Sequence, residues 1–406
     1  MNLLLLTPQL PYPPHQGTSL RNFHIIRGLA GRHTITLLSF LEDNQSADPA
    51  ANAPLYELCQ WIETVPVPPR SKGQRLRQML TTRRPDMAHR LHSPAFNARL
   101  RELLTAVAFD VVQVEGIELA CSIEIVRQVS PGSKIVFDNH NAETQLQRRN
   151  MQTDVAIPRR WPTAVYSWVQ ARRLARFEAW ACRAADAVTA VSATDADHLQ
   201  ALAADLPITV IPNSIDVAQY QLDEAAALPF DVVFSGKMDY RPNVDAALWF
   251  ADAVWPHILA QRPLATWAIV GQKPHARLDR LRDLPGVTLT GWVERVQPYL
   301  AGARVVVMPF RIGSGTRLKL IEAMAAGKAI VSTAVGAEGF PVQHGREIWL
   351  ADSAEGLATA VLHLLAQPDE RDRLGQAARQ FARQYDWRVV VPQFEQVYAG
   401  LLNEER

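Results

Sequence analysis

Residues 304–333 read RVVVMPFRIGSGTRLKLIEAMAAGKAIVST, and this stretch decides the fold. A β-branched run, a glycine turn, a helical pattern, a glycine stop and a second β-branched run follow one another. This is the strand–helix–strand order of a parallel α/β sheet. Gly313 and Gly315 permit a tight bend and close backbone approach, while Ser314 and Thr316 offer hydroxyls. The bend delivers its amides to the start of the next helix, where unpaired N–H groups and the helix dipole favour an anion. Arg317 and Lys319 add positive charge at the same end, and the whole set suits a diphosphate. Glu322 is misplaced beside phosphate unless it accepts hydrogen bonds, and a ribose diol would supply two donors. The other reading pairs it with Lys319 one helical turn back, and the local pattern leaves both open.

A dinucleotide-binding fingerprint is the tempting comparison, but Leu318 stands where its third glycine belongs. The motif also lies in the last third of the chain rather than after the first strand, which disfavours a dehydrogenase.

Working outward, the same grammar repeats. NLLLLT, HTITLLSF, DVVQVE, KIVFDN and AVTAVS read as buried strands of a first half, with helical stretches such as SLRNFHIIRGLAG between them. ITVIP, DVVFSG, TWAIVG, VTLTG, RVVVMPF, AIVST and IWLAD read as strands of a second half. A helix ended by Pro207 and an acidic, alanine-rich linker place the boundary near residue 206. The expected organisation is a first domain at 1–206, a second at 207–385, and a terminal segment, 386–406, helical after Pro392 and returning to the first domain.

Length and composition agree with two domains. The chain has 406 residues, 48% of them apolar, enough for two cores. Its 42 basic and 41 acidic side chains leave a net charge of +1, which gives no global reason to expect nucleic acid. Cys59, Cys121 and Cys182 are far apart and odd in number, forming neither a metal-ligand spacing nor a disulfide framework; a reducing cytosol is expected. MNLLLLTPQLPYPP lacks a basic flank and a cleavage site and reads as a first strand. No stretch approaches the roughly 20 apolar residues needed to span a bilayer. The expectation is a cytoplasmic protein, at most peripheral at the inner membrane face.

Several segments in order resemble the group 1, family 4-like retaining glycosyltransferases of bacterial polysaccharide-associated type. QLPYPPHQGTSLRN resembles that family's glycine loop after the first strand, FDNHNAE its histidine segment, and VIPNSID its linker motif. FSGKMDYRPN resembles the glycine-basic motif opening the donor domain, and GTRLKLIEAMAAGKAIVST the signature helix. The resemblance implies a GT-B architecture, two Rossmann-like domains facing across a cleft. It also implies transfer of a sugar from a nucleoside diphosphate sugar to a hydroxyl acceptor, without a metal or other cofactor. Such enzymes serve polysaccharide, glycolipid or glycoconjugate synthesis.

Residue roles follow position by position. Lys237 after Gly236, Arg317 and the amides around Gly313–Thr316 would neutralise charge on the departing diphosphate. Gly17 and Thr18 would line the other side. His140 is the family's N-domain histidine, expected to orient the sugar rather than act as base, with Asp138 a polar neighbour. Trp292 and Val293 fall at a position near the nucleobase, although a core tryptophan is the commoner explanation. The family often carries a second glutamate where Ser314 stands, so donor identity does not carry over.

Arginines 148, 149, 159, 160, 172, 173, 176 and 183, interspersed with Trp161, Trp168 and Trp180, suit a helix lying on an anionic membrane. The plainer reading is a solvated face with the tryptophans in the core. Two rival functions remain: a nucleoside-diphosphate-sugar 2-epimerase on the same scaffold, which needs further catalytic carboxylates, and a non-catalytic nucleotide-sugar binder, which Ser314 keeps open.

Overall fold

A run buried on both faces of a sheet has no reason to alternate polar with apolar side chains, and Leu3–Leu6 and Val305–Met308 do not alternate. Both belong to fully parallel sheets. The computed structural model describes residues 1–14, 17–145, 147–148, 161–204, 206–221, 226–313 and 315–403. Ser314, Arg149, Arg159 and Arg160 therefore lie outside the described residues. The chain divides into two units, Met1–Ser214 with Trp387–Arg406, and Ile215–Asp386.

In the first unit the strands are β1 (Asn2–Thr7), β2 (Thr34–Leu41), β3 (Trp61–Pro66), β4 (Val111–Glu115), β5 (Lys134–Asn139), β6 (Ala187–Ala190) and β7 (Ile208–Val210). They lie in the order β3-β2-β1-β4-β5-β6-β7, every pair parallel. ITVIP, expected to open the second half, instead pairs with β6 as the last strand of this sheet. The division accordingly falls after Ser214 rather than near residue 206. A three-residue strand looks alike whichever sheet receives it, because pairing is tertiary information. β3, WIETVP, escapes the sequence reading. Its Glu63 and Pro66 interrupt the apolar run, which an edge strand tolerates.

The Trp387–Asn403 helix begins ahead of Pro392, which lies inside it. One backbone hydrogen bond is lost there. Burial of Val390, Val391, Phe394 and Tyr398 in the core with Leu3, Leu5, Ile25 and Ile26 holds the helix regardless. The close approach shows at Gly28 in the Gly17–Leu29 helix, where a Cβ would lie 2.6 Å from Val391 Cγ1.

The second unit contains β8 (Phe230–Ser235), β9 (Trp267–Val270), β10 (Val287–Gly291), β11 (Ala303–Met308), β12 (Ala329–Ser332) and β13 (Trp349–Leu350). Their order is β10-β9-β8-β11-β12-β13, again all parallel. Phe250, Trp255 and Trp267 pack together on one side, with ring centroids 4.7 and 5.5 Å from Trp267. In each sheet the strand order reverses at one place, between β1 and β4 and between β8 and β11. Connections leave in opposite directions there, opening a crevice at the carboxyl ends of the strands.

Candidate functional site

The Gly-Ser-Gly-Thr bend follows β11, on the β8/β11 reversal of the second unit. Gly315 has φ +75°, a left-handed conformation that a side chain would strain. Arg317 caps the Leu318–Ala325 helix, whose first amides, at Leu318 and Lys319, have no carbonyl one turn back to bond. The Arg317 guanidinium is buried. It lies 4.8 Å over the Phe310 ring and donates to the Gly315 carbonyl at 3.3 Å. Thr316 packs against Gly339, where a Cβ would come within 2.7 Å of its methyl.

From β8, Gly236 and Lys237 meet the same place. The Asn243 amide donates to the Lys237 carbonyl at 2.8 Å, and its oxygen accepts from Lys319 Nζ at 2.8 Å. One asparagine thus ties the loop after β8 to the helix after β11. A Cβ on Gly236 would lie 2.3 Å from Lys319 Nζ, so glycine leaves room for the ammonium to come this close. The Lys319 ammonium also lies 5.2 and 5.5 Å over the rings of Phe310 and Phe234. Burial, with Arg317 beside it, lowers the Lys319 pKa to about 7, against the pull of Glu322. Lys237 itself is exposed, its Nζ 4.0 Å from Asp239.

Glu322 does not form the expected alternative pair: among the described residues no ion pair within 4.0 Å joins it to Lys319. Its carboxylate instead bonds the Tyr220 hydroxyl, and burial raises its pKa despite that bond. Trp292, following β10, is 71% exposed and is no core tryptophan; Val293 beside it is half-buried.

In the first unit, Glu115 ends β4 and lies opposite Asp138 of the adjacent β5, and both are fully buried. Asp138 receives a bidentate grip from Arg21, Nε at 2.6 Å and Nη2 at 2.8 Å, and a third bond from Thr189 at 2.5 Å. Arg21 also donates to the carbonyls of Pro212 and Ile211. His140 Nε2 lies 2.6 Å from Glu115 Oε2 and 3.5 Å from Asp138 Oδ2. Glu115 further accepts from Gln113, which accepts from the Tyr398 hydroxyl of the last helix.

Two buried carboxylates thus face one guanidinium and one imidazole, and with both carboxylates ionised the charge balances when His140 is protonated. Burial opposes that charge. The hydrogen bonds that His140 donates to the carboxylates of Asp138 and Glu115 outweigh it, and the His140 pKa rises to about 9. Burial and the Asp138 charge push Glu115 upward, whereas Asp138, despite its own burial, is held far below the carboxylate range by Arg21. The loop after His140 is pinned: Asp195 accepts from Ala142 N at 2.9 Å, and Glu178 from Glu143 N at 2.9 Å. Ligand atoms of Glu115, Asp138 and His140 lie within 4.8 Å of one another, a spacing that could hold a cation. The Arg21 fork already supplies the counter-charge there.

The structure thus brings Asp138 together with His140 in one unit, and Gly236, Lys237, Gly313, Gly315, Thr316, Arg317, Lys319 and Glu322 in the other. Gly17 and Thr18 begin the helix that carries Arg21. Sequence reasoning missed Arg21, Glu115, Asn243 and Tyr220. Only Glu115, an acid closing an otherwise buried strand, gave a signal.

Residues 16–219 match the profile described as Glycosyltransferase Family 4, and residues 229–367 that of Glycosyl transferases group 1. A phosphatidyl-myo-inositol mannosyltransferase of Mycolicibacterium smegmatis is 32% identical over 213 residues, covering 50% of this chain and 53% of that protein. The chain thus spans about half the length of that relative. Among solved structures, a sucrose-phosphate synthase from Thermosynechococcus elongatus superposes with a TM-score of 0.70 at 17% identity, covering all of both chains. Anabaena Alr3699/HepE, in complex with UDP and glucose, gives 0.65 at 15%, covering 98% of this chain and 99% of that one. These structures carry the GT-B glycosyltransferase fold. With half its length under one family profile and much of the remainder under the other, the chain belongs to the group 1, family 4 glycosyltransferases.

Proposed function

We propose that the chain moves a sugar from a nucleoside diphosphate sugar to a hydroxyl acceptor, with retention of configuration, in glycoconjugate or polysaccharide synthesis. The observation that carries this is the meeting, at the β8/β11 reversal, of the glycine bend, Arg317 and Lys319 with the loop of Gly236 and Lys237, which Asn243 ties together, and with Glu322 on the same helix. In this reading the Leu318 and Lys319 amides and the cations neutralise the departing diphosphate, so no divalent ion is placed in the reaction. Glu322, which among the described residues accepts from the one side chain of Tyr220, keeps lone pairs for the ribose hydroxyls. Trp292 stacks on the base. That Anabaena HepE was crystallised with UDP and glucose supports a nucleotide-sugar donor here.

Acceptor binding falls to the first unit. His140, held as an imidazolium, donates hydrogen bonds and positive charge and has no lone pair with which to take the acceptor proton. The proton passes instead to the leaving phosphate oxygen on the same face of the sugar, which is the route to retention. Cys59, Cys121 and Cys182 are all free, which suits a reducing cytoplasm. Among the described residues no helix is long and apolar enough to cross a membrane.

Incubation with a panel of nucleoside diphosphate hexoses, with and without a saccharide acceptor, tests the proposal by NMR of the products. Released nucleoside diphosphate and a product keeping the donor's anomeric configuration support it. An inverted product refutes retention, an epimerised donor supports the 2-epimerase instead, and binding without turnover supports the non-catalytic binder.

A further inference from the structure

The Lys72–Thr81 helix has no buried residue. A helix this short gains little from propensity, and what fixes it is a capping box in which Ser71 and Gln74 bond each other's amides at 3.2 and 2.8 Å. Leu76 and Leu80, one turn apart, share a face and stand in solvent. Nothing inside the unit explains why leucines should be there.

This helix adjoins a second, Trp161–Ala184. The Arg75 side chain bonds that of Tyr166, and Asp86 N donates to Gln170 Oε1 at 2.8 Å. On the second helix Trp161, Val165 and Trp168 follow at helical spacing along one line, which Arg172 and Arg176 continue; all five are exposed. The five apolar side chains of the two helices are between 45% and 73% exposed. Trp180 is not among them; it is half-buried and stacks on Phe177.

Charge surrounds this apolar surface with one sign. Residues 70–84 hold Arg70, Lys72, Arg75, Arg77, Arg83 and Arg84, and no acidic residue occurs from Thr64 to Pro85. Asp86 pairs with Arg70 and Arg75, and Glu124 with Arg84. Among the described residues Lys72, Arg77, Arg83 and Arg176 have no carboxylate within 4.0 Å. Cations and tryptophans would suit a nucleic acid, but exposed leucines have no use against a phosphate backbone or a base. An apolar centre rimmed by cations fits the boundary of an anionic bilayer. There the leucines and tryptophans enter the headgroup–acyl border and the cations meet phosphates.

We propose that these two helices dock the chain on an anionic phospholipid membrane. The inference does not depend on which group the chain transfers, and the Lys72–Thr81 helix is new to it: the arginine run read in the sequence began only at Arg148.

The test is co-sedimentation of the full chain with vesicles of phosphatidylglycerol and phosphatidylcholine, or of phosphatidylcholine alone, at rising salt. Binding is expected to the anionic vesicles and to weaken with salt. Each basic residue near such a surface is worth about fivefold in partitioning, so Lys72→Ala/Arg77→Ala/Arg83→Ala should lose on the order of a hundredfold. Leu76→Ser/Leu80→Ser should lose binding while leaving the thermal melt unchanged, because neither leucine is buried. Equal recovery with both vesicle types overturns the proposal, as does undiminished binding by the triple variant. A lipid-free dimer that the leucine variant converts to monomer would assign the face to a second copy of the chain instead.

Discussion

Replacing Glu115 by glutamine changes one buried charge and almost no volume, and its consequence can be worked out from the contacts. Glu115 accepts from His140 Nε2 and from Gln113. A glutamine retains one acceptor, so one of these donors must give way, and the histidine can do so by losing its proton. Asp138 still accepts from His140 but is itself neutralised by Arg21, so the imidazolium loses one of its two carboxylates while burial continues to disfavour its charge. The His140 pKa should fall from about 9 toward its ordinary 6.5. At 1.36 kcal/mol for each pKa unit, a complete return would be a loss of about 3 kcal/mol of preference for the charged form. A value raised in the folded state contributes stability that is complete below 6.5 and is lost as pH climbs through 9. The parent should therefore weaken between pH 7 and 10, and Glu115→Gln should be flatter across that window. NMR titration of the histidine rings measures the pKa directly, with denaturant melts as a function of pH beside it. A His140 that titrates near 6.5 in the parent, or near 9 in the variant, refutes the reasoning.

Other expectations are independent of that network's titration. Arg21→Met leaves two buried carboxylates with one cation and should cost about 3–5 kcal/mol in urea unfolding; a loss within the surface range of about 0.5 kcal/mol counts against the ion pair. Lys319, lowered to about 7 by burial beside Arg317, must be fully charged to hold a diphosphate. Nucleoside diphosphate binding at pH 8 should therefore take up a proton, seen by calorimetry in buffers of different ionisation enthalpy; no dependence on buffer argues against Lys319 as an anion ligand. Trp292→Ala should weaken nucleoside diphosphate binding by the ~1–3 kcal/mol of an aromatic–base stack, with the ligand-induced fluorescence quench abolished; a quench that persists places the base elsewhere.

Much of this organisation was legible because it rests on local pattern. The runs NLLLLT and RVVVMPF are apolar at every position only because both faces of their sheets are covered. The glycine bend announced itself because Gly315 needs a left-handed backbone, a requirement written in residue type. What stayed hidden is what distance in sequence conceals. Ile208–Val210 could have joined either sheet. Arg21 sits in a helical pattern and looks solvated until Asp138, on another element, is brought against it. Asn243 and Tyr220 become informative only when Lys319 and Glu322 arrive beside them. Trp292 shows the converse: composition favours a buried tryptophan, and its 71% exposure is what marks it.

The central claim is that the bend Gly313–Thr316 and the Arg317 behind it grip a diphosphate. Isothermal calorimetry of a nucleoside diphosphate against the parent and Arg317→Ala tests this most directly. Charge-assisted hydrogen bonds are worth about 1.5–3 kcal/mol, so the variant should bind roughly 10- to 100-fold more weakly while melting as a folded protein. Equal affinity in the two proteins would contradict the account.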